Sequence, residues 1–162
     1  MKIKLLDGQK IKLVGTTDFN YLYTATKNWM VDMGYAKDNT LEKKYIDRVK
    51  SGDTKQLEID WHGEKKKGEF FTYNIDVTFL IMQMSKIEVQ QGDVKKKMHK
   101  GVFEIKVYSY LKSTSKWDEL KGIQKLYHEL FIRKRIDVYL EELYKKSTSL
   151  HSFIKGIMGL RD

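Results

Sequence analysis

The chain has 162 residues, 41% of them apolar and 12% aromatic, with a formal net charge of +9. That length fits one domain, residues 1–162, with a core large enough to need no staples. The absence of cysteine excludes disulfides, zinc fingers, iron–sulfur clusters and thiol nucleophiles, and the absence of proline leaves turns to Gly, Asn, Asp and Ser.

Lys2 to Val14 reads as a β-hairpin around Asp7-Gly8. A two-residue loop would set Leu5 against Lys10. A three-residue loop sets Leu5 against Ile11 and Ile3 against Leu13, and is favoured because one residue of slip flips every side chain. Thr16, Thr17 and Asp18 are N-cap candidates for a helix from Phe19 to Met33, with Phe19, Leu22, Thr26, Trp29, Met30 and Met33 at helical spacing. Gly34 is a natural stop after it. Thr40 to Val49 reads as strand or helix turn, strand being favoured.

A β region follows. Leu57, Ile59 and Trp61 alternate with Glu58, Asp60 and His62. Phe71, Tyr73, Ile75, Val77, Phe79 and Ile81 form the longest alternation. Ile87 and Val89 predict another strand, turning at Gln91-Gly92-Asp93 into Val94 to Met98. A second turn at His99-Lys100-Gly101 leads into Phe103, Ile105 and Val107. From Ser115 the period becomes helical. Ser115 to Asp118 has capping-box spacing. Trp117, Leu120, Ile123, Tyr127, Leu130 and Phe131 share a stripe that loses phase at Arg133-Lys134-Arg135. A second stripe runs Ile136, Leu140, Leu143, Ser147, Leu150, Ile154 and Ile157. Two C-terminal helices are therefore expected, packing on one face of an antiparallel sheet of about four to six strands. The class is α+β.

The motifs carry little chemistry. Glu58, Asp60 and His62 share a strand face, matched by Asn74 and Asp76 on the next strand. This set could hold a metal or do acid–base work, but an ordinary solvated sheet face alternates in the same manner and is favoured. No nucleophile elbow, P-loop or dinucleotide fingerprint is present. No catalytic residue, metal ligand or cofactor is assigned. Three basic clusters could contact phosphates: Lys65-Lys66-Lys67; Lys95, Lys97 and Lys100; and Arg133-Lys134-Arg135. Lysines on an edge strand or in a turn need no ligand, however. The second helical stripe has the 3.5-residue period of a coiled-coil seam, although packing on its own sheet requires the same stripe and is favoured.

Several residue groups carry a resemblance. They are Leu22-Tyr23 with Trp29 and Gly34-Tyr35, Glu58-Ile59-Asp60-Trp61, and Tyr73-x-Ile75-Asp76-Val77. Further along come Lys96-x-Met98-x-Lys100-Gly101-x-x-Glu104-Ile105, Lys116-Trp117, and Arg135-Ile136 with Tyr139 and Leu143-Tyr144. The chain resembles an uncharacterised family of small archaeal proteins, which implies an archaeal, cytoplasmic, single-domain protein and no catalytic residues. The functional expectation is a non-enzymatic protein-interaction or assembly protein, with an unknown protein partner or itself. The rivals are a basic nucleic-acid- or ribosome-associated protein and a carrier of a small apolar ligand. The N-terminus has no apolar core of signal-peptide length, and no stretch is long enough for a membrane span, so a cytoplasmic location is expected.

Overall fold

The structure is a computed structural model describing residues 1–36, 40–50 and 52–160. The strands are β1 (Lys2–Thr17), β2 (Glu42–Val49), β3 (Lys55–Lys67), β4 (Phe71–Gln91) and β5 (Val94–Ser113). The helices are α1 (Phe19–Asp32), the single turn α2 (Ser115–Asp118) and α3 (Gly122–Ile157). The strands form one sheet in the order β1-β5-β4-β3-β2, every neighbouring pair antiparallel. The fold is α+β, with the sheet open on one face and covered by helices on the other.

Alternation decides which face is covered. Leu57, Ile59 and Trp61 on β3, Tyr73, Ile75, Val77, Phe79 and Ile81 on β4, and Phe103, Ile105 and Val107 on β5 are all buried. The register lines them up across the strands, Ile11 with Ile105, Ile105 with Phe79, and Phe79 with Ile59. Each such side chain contributes roughly 1.5–3 kcal/mol by leaving water. α1 lies on this face: Tyr23 meets Trp61 at 5.3 Å between ring centroids, and its hydroxyl donates to Glu42 at 2.7 Å. Asp18 caps α1 by accepting from the Tyr21 N–H at 3.1 Å, as the N-cap reading expects. The stop at Gly34 also appears, with φ +85° and bonds from the Gly34 and Tyr35 amides back to Val31 and Met30. Residues 42–49 are strand, the favoured alternative.

Four local expectations are corrected. The N-terminal hairpin does not form. Lys2–Thr17 is a single strand paired along β5, with irregularities between Lys4 and Leu6 and between Asp7 and Gln9. A two-stranded ribbon is marginal in water, whereas pairing on β5 places Ile3, Leu6, Ile11 and Leu13 opposite Leu111, Ser109, Ile105 and Phe103. Two one-residue bulges flip the side-chain phase twice, so Ile3 and Ile11 face the core together, and Leu6 rather than Leu5 holds the core register between them.

The turn at His99-Lys100-Gly101 is also absent. β5 runs straight through it, as β4 runs through Ile87 and Val89, and the irregularity sits on β4 between Met82 and Ser85, where Gln83 has φ +54°. Gly101 is needed there for close approach: a Cβ would lie 2.9 Å from the Met82 carbonyl oxygen. The turn at Gly92-Asp93 forms as expected, between paired Gln91 and Val94.

The two expected C-terminal helices are one. α3 is continuous for 36 residues, roughly 54 Å, through Arg133-Lys134-Arg135. The loss of phase marks a change of face, with no break in the helix. The expected capping box at Ser115 does not close either: Asp118 instead accepts from the Ser113 hydroxyl at 2.9 Å. Among the described residues no helix is long and apolar enough to cross a membrane.

Candidate interaction face

α3 begins just after α2, and rings hold this corner in place. Trp117 lies 5.6 Å from both Phe70 and Phe71, and His128 meets Phe70 edge-on at 5.0 Å. One turn further on Ile132 is buried, and then Tyr139 packs against Phe71 and Tyr73. Glu142 locks the middle of the helix, accepting from the Tyr73 hydroxyl at 2.9 Å and pairing with Lys67 at 3.2 Å. Burial acts to raise the Glu142 carboxyl, but the Tyr73 and Lys67 hydrogen bonds and the charges of Lys67 and Lys65 hold it below its ordinary value.

Around and beyond this lock the second stripe lies against the chain's own core. Leu143, Ser147, Leu150 and Ile154 are 0% exposed, while Ile136, Leu140 and Ile157 are half-buried against the same core. Ser147 joins helix to sheet, accepting from the Ser109 hydroxyl at 3.1 Å and donating to the Leu143 carbonyl at 2.9 Å. A small residue on the buried side was the expectation here.

The first half of α3 is different. Ile123, Leu126, Tyr127, Leu130, Phe131 and Val138 are between 59% and 87% exposed. At about 100° per residue they fall on the side of the helix opposite Ile132, Ile136 and Tyr139. Ile123, Tyr127, Leu130 and Phe131 were expected to help cover the sheet; they face solvent instead, because the inward line begins only with Ile132. Leu126 and Val138 were not singled out in the sequence. A usable signal existed: apolar residues at 123, 126, 127, 130, 131 and 132 spread over more than one side of a helix, and one sheet covers only one side. Such contiguous apolar exposure marks an interaction surface more often than chance.

The basic clusters do not converge. Lys65 faces the helices, donating to the Met33 carbonyl at 3.1 Å beyond the end of α1, and Lys67 is bound to Glu142. Lys66 pairs with Thr72 and points to the open face. Lys95 and Lys97 lie at the other end of β4, a strand of 21 residues spanning on the order of 65 Å if straight. They stand exposed on a two-stranded arm formed by Ile87–Gln91 and Val94–Met98. Lys100 is exposed on the same arm, at its base. Arg133, Lys134 and Arg135 are exposed around one turn of α3.

The open sheet face does gather the polar set. Register places His62 beside Asp76, Asp60 beside Thr78, and Glu58 beside Leu80. His62 Nδ1 lies 2.5 Å from the Asp76 carboxylate, and Glu58 pairs with Lys44 at 3.0 Å. Asn74 lies on this face as expected, but is buried within it and donates to the Thr72 hydroxyl. Among the described residues no three His, Asp or Glu side chains gather as a metal would need. A concavity of about 840 Å³, lined by Val14, Met82, Gln83, Lys100 and Val102 among others, lies over the bulge opposite Gly101.

Comparison with known proteins matches the chain to no family model, no curated protein and no solved structure.

Proposed function

We propose that this chain is a non-enzymatic interaction or assembly protein, and that it docks a protein partner on the outward face of the first half of α3. One observation carries the reading: Ile123, Leu126, Tyr127, Leu130, Phe131 and Val138 stand exposed together on a helix anchored from its other side. Aromatic residues such as Tyr127 and Phe131 are enriched in the cores of protein interfaces, and tyrosine is among the residues that carry most of the binding energy there. A cytoplasmic setting belongs to the same reading and rests on composition alone, chiefly the lack of cysteine. The test is crosslinking and co-purification with tagged wild type and with Leu126→Glu/Leu130→Glu. The double variant should lose the heavier species by on the order of tenfold or more. Identical profiles for the two proteins would overturn the proposal.

A nucleic-acid role is the second reading, favoured by the exposed Lys95, Lys97 and Lys100 on the β4–β5 arm beside the start of α1. A two-stranded ribbon fits a duplex groove, and lysines neutralise the phosphates. Binding of labelled RNA and duplex DNA across a salt series should then show a slope that is flatter in Lys95→Ala/Lys97→Ala, by about 0.9 for each duplex phosphate the variant leaves unneutralised. Absence of binding at low salt removes this reading. An apolar carrier would require the packing of Leu143, Leu150 and Ile154 on the sheet to open.

A further inference from the structure

Resting on the docking-face reading above, we infer that the occupant is a second copy of this chain. Its α3 lies antiparallel across the same face, about a two-fold axis near His128 and Glu129. Four observations carry this.

The first is direction. The exposed stripe points away from the molecule's own sheet, which α3 meets through Ile132, Ile136 and Leu143 on its opposite side. A second molecule can therefore lay its helix on the stripe with its own sheet on the far side.

The second is the sequence of the stripe. Leu126-Tyr127-His128-Glu129-Leu130-Phe131 is an apolar pair, a polar pair and an apolar pair, and it reads the same in either direction. A two-fold interface must be self-complementary, each contact occurring twice. Centred between His128 and Glu129, the axis brings Tyr127 over Leu130 of the second copy and Leu126 towards Phe131 of the second copy. Ile123 then meets the aliphatic stem of Lys134 of the second copy. Ile123, Tyr127, Leu130 and Lys134 follow steps of four, three and four, the spacing of a coiled-coil seam.

The third is charge. A parallel pairing would set Lys134 against Lys134 of the second copy at the seam, stacking like charges. The antiparallel pairing separates them. It also carries Asp137 of the second copy to the start of α3, beside Lys121, where a carboxylate gains from both the lysine and the positive end of the helix.

The fourth is area. At their observed exposures the five stripe side chains from Ile123 to Phe131 present on the order of 500 Å² of apolar surface per copy. A symmetric pair then buries about 1,000 Å², the size at which a specific contact becomes credible.

Sedimentation velocity from low micromolar to several hundred micromolar protein, combined with cysteine crosslinking, tests the assignment. Wild type should pass from monomer to dimer as concentration rises. Leu130→Glu should stay monomeric, while its thermal midpoint at low concentration equals that of wild type. The chain has no cysteine of its own, so introduced thiols report geometry without background. Ile123→Cys mixed with Lys134→Cys should form a mixed disulfide under mild oxidation, and neither variant alone should crosslink. A wild-type monomer at every concentration, a dimer that survives Leu130→Glu, or self-crosslinking of Ile123→Cys alone would each overturn the assignment. A wild-type monomer that still captures another protein through the stripe overturns the second copy and leaves the docking face standing. A monomer that captures nothing overturns both.

Discussion

The two halves of α3 carry the same kind of apolar spacing and end in opposite environments. Leu143, Leu150 and Ile154 are shut off from solvent, while Ile123, Leu126 and Leu130 keep most of their surface wet. Residue type does not distinguish the halves, since both are rich in Leu and Ile. What differs is the position of the helix relative to the sheet. The ring cluster of Phe70, Trp117 and His128 holds only one side of the helix start, and Ile123 is left 87% exposed. Helical periodicity therefore specifies a face and does not specify what covers it.

Truncation should separate the halves most sharply. Leu150→Ala removes a side chain packed on every side and should cost about 2–5 kcal/mol in chemical denaturation. Leu130→Ala, measured at low protein concentration, should change stability by no more than about 0.5 kcal/mol, the range for exposed positions. Comparable losses in the two variants would break the contrast.

Ser147 offers a finer probe of the buried half. Ser147→Leu forces a larger side chain into a fully buried helix–sheet contact and leaves the Ser109 hydroxyl short of its acceptor, which together should cost about 3 kcal/mol. Ser147→Ala leaves only that orphaned hydroxyl and should cost about 1 kcal/mol. A Leu variant that melts like wild type would mean that helix and sheet do not meet there.

Glu142 joins the two halves, and its effect is the smallest. Its carboxyl is held below its ordinary value in the folded protein. A depressed carboxylate contributes stability that is complete above its unfolded value of about 4.3 and is lost as pH falls through the lower folded value. The side chain is 44% exposed, so screening keeps the contribution under about 1 kcal/mol. Denaturation midpoints recorded from near neutrality down through the acid range should show a steeper loss in wild type than in Glu142→Gln. Equal slopes would remove the Tyr73–Glu142–Lys67 lock from the account.

Much of this architecture was legible in the sequence, and the misses share a cause. The alternation from Phe71 to Ile81 placed the central strand and its buried face, and Asp18 and Gly34 marked the ends of α1. Ser147 was placed on the buried side from spacing alone. The hairpin at Asp7-Gly8 and the turn at Gly101 failed because a glycine within an alternating run signals a bulge or a close backbone approach as readily as a turn. Only the partner strand, β5 in one case and the bulged part of β4 in the other, decides between them. The doubled Leu5-Leu6 was a visible trace of a phase flip. The outward stripe escaped notice for a related reason: a sequence lists apolar residues but not the extent of the sheet beneath them. Of the basic clusters, spacing could not reveal that Lys65 and Lys67 are tied to α1 and α3, since those contacts span distant parts of the chain.

The central claim is that the two halves of α3 have different partners, and native-state hydrogen exchange along the helix, at dilute and at high protein concentration, tests it most directly. Amides from Leu143 to Ile157 should be deeply protected at both concentrations, because their protection is set by the fold. Amides from Gln124 to Phe131 should exchange quickly in dilute solution and gain protection as concentration rises, because their cover arrives by mass action. Equal and deep protection of both segments at every concentration would contradict the account, since the amides under the outward stripe would then be protected without a second copy.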